Sequence, residues 1–175
     1  VIGVGATDLY DNITPFSLRG PAPNQWPWSD ENYWCKSDWN LIKPDISAPG
    51  RNIHSSIPGG GYANWDGTSM STPHVTGAIA LLLSIDSTLD YCEVYNLLLD
   101  NADHPEQGEP YPNNDYGWGR LNIFKAAIPL FMEHFSYILA TNFEFQDNGD
   151  DDGRFDPDET VQIYFTLKDS LGWKD

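Results

Sequence analysis

Gly67-Thr68-Ser69-Met70-Ser71-Thr72-Pro73-His74-Val75-Thr76-Gly77 is the stretch on which the reading of this chain turns. Gly67 lets the backbone bend freely, and the hydroxyl of Ser69 then falls where the first N–H groups of a helix have no intrahelical acceptor. A group that develops negative charge is stabilised there by the positive end of the helix and by backbone donors. The residues that follow are apolar at helical spacing. Val75, Ala78, Ile79, Leu82 and Leu83 fall at i, i+3, i+4, i+7 and i+8, and Ala80 and Leu81 fill the other side. That pattern predicts a helix buried nearly all round, with one serine at its tip. Position alone also allows an ordinary capping sequence, with Thr68 or Ser69 as the cap and Pro73 in the first turn.

The eleven residues together resemble the active-site serine motif of the subtilisin-like serine proteases (subtilases), Gly-Thr-Ser-x-Ser/Ala-x-Pro followed by a pair of small residues, here Thr76-Gly77. Three more segments are similar to the same family and come in its order. Phe16-Ser17-Leu18-Arg19-Gly20-Pro21 follows the apolar run from Val1 to Ala6, which reads as a strand buried on both faces of a parallel sheet. Lys43-Pro44-Asp45-Ile46-Ser47-Ala48-Pro49-Gly50 reads as a short buried strand closed by a turn. Tyr116 to Asn122 leads into a last helix through Ala127. The resemblance covers Val1 to about Ile128. It implies part of an α/β, three-layer domain built on a subtilisin-like parallel sheet. In it Ser69 would be the nucleophile that forms an acyl-enzyme during peptide-bond hydrolysis, with its own N–H as one oxyanion donor. Protein or peptide substrates would be the partners. By the same resemblance Trp65 and Met70 flank the leaving-group side of the cleft, unless they serve packing alone.

Hydrolysis of this type needs an aspartate, a histidine and an oxyanion-hole donor besides the serine. In the family the histidine lies much farther upstream than the 68 residues that precede Ser69 here. None of His54, His74, His104 and His134 matches its position, and Asp45 and Asp66 read as turn residues. The resemblance is therefore to the carboxy-terminal half of the catalytic domain, and an amino-terminal half would supply base, acid and oxyanion asparagine. Two other readings stay open. A sedolisin-type acid peptidase uses a similar Gly-Thr-Ser motif, although His74 and the Lys43 to Gly50 segment argue against it. A calcium-stabilised scaffold or binding protein would keep the fold without the chemistry.

Composition bounds the remainder. Across 175 residues, 26 acidic against 9 basic side chains give a net charge of −17. Phosphate binding needs a basic patch, so nucleic acid is not an expected partner. No run approaches the ~18 apolar residues of a membrane span. The acidity suits cation binding and a secreted, extracellular setting. Cys35 and Cys92 are the only cysteines; they either form one disulfide or stand as two buried thiols. Between Pro21 and Asn40 lies a dense aromatic set, Trp26, Trp28, Tyr33, Trp34 and Trp39. It is either a rim that contacts substrate or a loop that packs its own rings on the domain, tied down by Cys35. Ile53 to Ile57 reads as a strand, Pro58 to Gly61 as a flexible loop leading to Trp65, and Asp90 and Glu93 as the capping box of a second helix with Val94, Leu97 and Leu98 on its core face.

The expected organisation is a protease part over residues 1–128, a linker over 129–141 that becomes a strand, and an all-β module from 142 to 175. Thr160 to Lys168 alternates, with Val161, Ile163, Phe165 and Leu167 on one face, as a half-buried antiparallel strand does. With the alternation around Phe143 and Phe145 it predicts the start of a β-sandwich. Between these strands, counting Asn148 as position one, Asn148, Asp150, Asp152, Asp156 and Glu159 fall at one, three, five, nine and twelve. Gly153 falls at six and the Arg154 carbonyl at seven. This is the spacing of an EF-hand calcium loop, so a structural Ca2+ is expected, though Pro157 and the flanking strands depart from that pattern. An acidic hairpin turn is the alternative.

Overall fold

The computed structural model describes residues 1–37, 39–134, 138–147 and 161–169. They form two compact units, Val1–Leu130 and Phe131–Asp175. In the first, β1 (Val4–Thr7) and β2 (Ile46–Pro49) pair in parallel from Val4↔Ile46 to Thr7↔Pro49. Both run through small residues, and helix α1 (Thr68–Ile85) packs against both. A core of Ile46, Ala48, Val75, Ala78 and Leu82 continues into Val94, Leu98 and Leu99 of α2 (Tyr91–Asp100) and Ala126 and Leu130 of α3 (Ile123–His134). Each large aliphatic side chain so buried contributes about 1.5–3 kcal/mol against the entropy of ordering the chain.

Four expectations are corrected. Helix α1 is not buried all round: only Ser71, Val75, Ala78 and Leu82, one stripe, are buried, and Leu81 and Leu83 are exposed. An all-apolar sequence tells that both faces can be covered, whereas the described residues supply packing on one face. Gly61, read as the end of the loop, opens strand β4 (Gly61–Trp65), antiparallel to β3 (Ile53–Ile57) with Ile57 opposite Gly61 and Ile53 opposite Trp65. Gly59 and Gly60 take φ of 93° and 86°, left-handed geometry that only a glycine-rich turn adopts cheaply, and this closes the hairpin. Residues 129–141, expected as a linker that becomes a strand, are helix up to His134 and strand from Ile138. Helix α3 continues through Pro129 to His134, carried by the packing of Ala126, Ala127 and Leu130, and β5 (Ile138–Asp147) begins four residues later. Asp45, finally, is no turn residue but a fully buried carboxylate at the entry to β2. It accepts hydrogen bonds from the Tyr95 hydroxyl (2.7 Å), the Gly3 amide (2.5 Å) and the Lys43 ammonium.

The capping box of α2 is formed, the Glu93 amide donating to Asp90 at 2.9 Å and the Asp90 amide to Glu93 at 2.8 Å. Cys35 and Cys92 form a disulfide that ties the aromatic loop to the first turn of α2. The segment after Tyr116 lies along β2, with Ser47 donating to Gly119 and Leu121 to Ser47, both at 2.8 Å. Gly117 takes a φ of 70°, and a Cβ there would meet the Asp45 carbonyl at 2.3 Å, so the approach requires glycine. Arg120 joins this segment to its surroundings, reaching Asp11 at 2.8 Å and Asp103 at 2.7 Å.

In the second unit β5 and β6 (Val161–Asp169) pair antiparallel from Ile138↔Asp169 to Asp147↔Val161. The proposed calcium ligands, Asn148, Asp150, Asp152, Arg154, Asp156 and Glu159, lie outside the described residues, as does any further strand of a sandwich.

Candidate active site

Ser69 is exposed, in the first turn of α1. The N-cap is Gly67, with φ 152° and no side-chain capping bond, so neither Thr68 nor Ser69 serves as a cap and the serine hydroxyl is not spent on the helix. Thr68 and Ser69 precede the first i→i−4 donor of the helix, which leaves their N–H groups without an intrahelical acceptor and directed out of the helix start. Pro73, inside the helix rather than in its first turn, has no N–H to offer the Ser69 carbonyl four residues back. One turn on, the Thr72 hydroxyl returns to the Thr68 carbonyl at 3.0 Å and the Thr76 hydroxyl to the Thr72 carbonyl at 3.1 Å.

The turn is pinned to the sheet by Gly50, just past β2. Its amide donates to the Thr7 carbonyl at 2.9 Å, its carbonyl accepts from the Gly67 amide at 2.8 Å, and the Met70 amide donates to Gly67 at 3.0 Å. A Cβ on Gly50 would meet the Ser71 hydroxyl at 2.2 Å, the Ala6 side chain at 2.7 Å and the Gly67 carbonyl at 2.8 Å. Gly50 therefore positions the serine turn, a role that becomes visible only when residues seventeen apart in sequence are brought together. The sulfur of Met70 lies 3.5 Å from where a Cβ on Gly67 would be, beside the serine turn. Trp65 ends β4 and is half exposed. The Asp66 carboxylate accepts from the Asn52 amide at 2.7 Å.

None of the histidines with described side chains is bonded to Ser69. His54 pairs with Asn64 at 2.5 Å and stacks on Tyr62, His74 pairs with the Met70 carbonyl at 2.9 Å, and His104 pairs with the Trp118 carbonyl at 3.1 Å. Among the described residues the site is an exposed serine at a helix start, with backbone donors and no base bonded to it.

Comparison with known proteins bears on what such a site belongs to. The subtilase family matches residues 1–119 of this chain. Bacillopeptidase F of Bacillus subtilis is 40% identical over 127 residues, which are 70% of this chain and 8% of that protein. The minor extracellular protease Vpr of Bacillus subtilis is 33% identical over 126 residues, 67% of this chain and 14% of that protein. Among solved structures, the CspB protease of Clostridium perfringens superposes with a TM-score of 0.62 at 33% identity, covering 75% of this chain and 27% of its own. The chain thus spans a small part of the relatives it matches.

Proposed function

This chain belongs to the subtilase family and has its subtilisin-like α/β fold, and from that premise we propose that it carries the nucleophile of a serine endopeptidase. Ser69 attacks the carbonyl carbon of a peptide bond in a protein substrate and forms an acyl-enzyme that water then hydrolyses. The observation that carries this reading is the exposed, uncapped Ser69 hydroxyl at a helix start held to the sheet through Gly50 and Gly67. A serine hydroxyl without a base is a weak nucleophile at neutral pH. The base, the acid that orients it and the oxyanion asparagine are assigned to an amino-terminal half of the same catalytic domain. Trp65 and Met70 border the leaving-group side of the cleft.

Secretion is part of the proposal. One relative is named as an extracellular protease, and the Cys35–Cys92 disulfide suits an oxidising compartment. No helix among the described residues is long and apolar enough to cross a membrane. A structural Ca2+ held by Asn148, Asp150, Asp152, the Arg154 carbonyl, Asp156 and Glu159 rests on ligand spacing, and on the pairing of Asp147 with Val161 that brings the two ends of that connection together.

The test is Ser69→Ala in the full-length protein. Turnover of a protein substrate should vanish with the circular dichroism unchanged, and a fluorophosphonate should label the parent on Ser69 but not the variant. The isolated 175-residue chain should not be labelled. Turnover retained in Ser69→Ala would remove the assignment. An activity optimum well below pH ~5 would point instead to a carboxylate base, as in sedolisins, since an unperturbed histidine titrates near 6.5.

A further inference from the structure

The short connection between β2 and β3 is bonded to the serine turn on both sides of Arg51. The Gly50 carbonyl before it accepts from the Gly67 amide at 2.8 Å, and the Asn52 amide after it donates to the Asp66 carboxylate at 2.7 Å. From there the hairpin ladder continues, with Ile53 opposite Trp65. Asn52 holds a φ of 58°, a left-handed conformation that strains a residue with a side chain, and its own side chain accepts from Asn64 at 2.9 Å. Asn64 in turn pairs with His54 at 2.5 Å. Such strain persists where the surroundings over-determine it, and it clusters at binding and catalytic sites. The backbone of Arg51 is thereby fixed against Gly67, two residues before Ser69.

The Arg51 side chain takes no part in this frame. It is exposed, and no ion pair among the described residues reaches it, whereas Arg19, Lys36, Lys43, Arg120 and Lys125 each form an ion pair with an aspartate. In a chain with 26 acidic and 9 basic residues intramolecular partners are in excess, so a cation left without one is set apart by its position. Two acids at this end of the sheet are committed to backbone amides. Asp66 holds Asn52, and Asp8, just past β1, accepts from the Tyr10 amide at 2.9 Å and the Asn12 amide at 3.0 Å. Burial raises the Asp8 carboxyl pKa, but hydrogen bonds from Asn12 and Tyr10, joined by the Arg51 charge, bring it below the usual value. Arg51 is thus within electrostatic range of the β1 end without closing an ion pair there.

A guanidinium presents a planar fork of N–H donors that fits a carboxylate through two parallel hydrogen bonds. The anionic groups of an unmodified peptide are all carboxylates, on Asp and Glu side chains and at the chain end. Placement decides which part of a substrate would meet the fork: Arg51 adjoins Asn52 and hence Asp66, the neighbour of Trp65, on the leaving-group side of Ser69.

We propose that Arg51 is a specificity-determining residue that selects peptide substrates carrying a carboxylate within the first few residues after the cleaved bond. The proposal rests on the serine endopeptidase reading above.

The test uses the full-length protein and donor–quencher peptides of one common sequence, amidated at the carboxy terminus. Glu, Gln or Lys stands at the first, second or third residue after the cleaved bond, which mass spectrometry locates. At one or more of these positions Glu should exceed Gln in kcat/KM by about fivefold, as a single exposed ion pair can provide, and Lys should be poorest. Molar salt should shrink the difference. Arg51→Gln should bring the ratio of Glu to Gln close to one, Arg51→Lys should keep part of it, and Arg51→Glu should favour Lys over Glu, a reversal that a loss of structure does not produce. Gln peptides with a free terminal carboxylate separate the two sources. A gain with Glu assigns the carboxylate to a side chain, and a gain with the free terminus alone assigns it to the chain end. Equal cleavage of the Glu and Gln peptides, amidated or free, would overturn the proposal. So would a preference for Lys, or a ratio unmoved by Arg51→Gln and Arg51→Glu. No cleavage, or cleavage that survives Ser69→Ala, would overturn the endopeptidase reading and this proposal with it.

Discussion

Replacing both cysteines, Cys35→Ser with Cys92→Ser, probes what holds the aromatic loop. The disulfide spans a sequence separation of 57 residues. In the chain-entropy treatment, closing a loop of that length removes about 14 cal/mol/K from the unfolded ensemble, or about 4 kcal/mol at 25 °C. The native state should change little, because α2 keeps its own capping box and Trp39 stays buried in the core through neighbours other than Cys35. The loss therefore acts through the unfolded chain. Urea unfolding of the full-length protein, followed by tryptophan fluorescence, should show a midpoint shift equivalent to about 4 kcal/mol with the native spectrum retained. Denatured but unreduced parent should expose no reactive thiol from this pair. A shift under about 1 kcal/mol would refute the reasoning, since it would mean that the unfolded chain already holds these residues close or that the bond strains the native state by nearly what it gains.

Three further outcomes are expected. Peroxide should oxidise Met70 to the polar sulfoxide beside the serine turn and lower the activity of the full-length enzyme by about tenfold, and Met70→Ala should resist; a variant as sensitive as the parent would place the oxidised residue elsewhere. For Asp103, burial raises the carboxyl pKa, but hydrogen bonds from Lys125, Arg120 and Asn122 outweigh it and bring the pKa down to about 2. A depressed folded-state pKa contributes stability above the unfolded value of 3.8 that is lost as pH falls towards 2, so melting temperature should drop more steeply over that window in the parent than in Asp103→Asn, and parallel curves would remove this group from acid unfolding. In a protein with the complete β module, chelator should lower the melting temperature, and Glu159→Gln should weaken calcium uptake by about tenfold or more while Asp158→Asn leaves it nearly unchanged; no uptake at millimolar calcium would leave an acidic turn.

The parts of this fold that sequence made legible are those set by neighbours along the chain. The capping box at Asp90 and Glu93, the strand at Ile53–Ile57 and the helix start at Ser69 each follow from a few adjacent residues. What needs a distant partner was misread or missed. Strand β4 has no element in the sequence reading because glycine and aromatic residues hide its pattern until β3 lies beside it. Asp45 looked like turn because Tyr95, which donates to it, is 50 residues away. The support that Gly50 gives to the serine turn has no local signal beyond a glycine after a proline. Composition allowed α1 to be covered all round, but burial is a property of what surrounds a helix, and only the Ser71, Val75, Ala78 and Leu82 stripe meets a partner among the described residues. The aromatic residues of the loop were visible at once, whereas their tie to α2 through Cys35 and Cys92 required the fold.

Pro73 gives the serine a mechanical independence from its own helix. The Ser69 amide lies ahead of the first i→i−4 donor and its carbonyl has no proline N–H to bind, so neither group is a rung of the i→i−4 ladder. In the proposed reaction, a Ser69 nucleophile would shift by the fraction of an ångström that a changing bond angle at the substrate carbon demands without loosening a helical turn. The rows of Val75, Ala78 and Leu82 stay still meanwhile, clamped in the core. Compliance at the tip and stiffness in the shaft are thus separated by one residue, and amide exchange should report the border as fast at Ser69 and slow from Val75 onward.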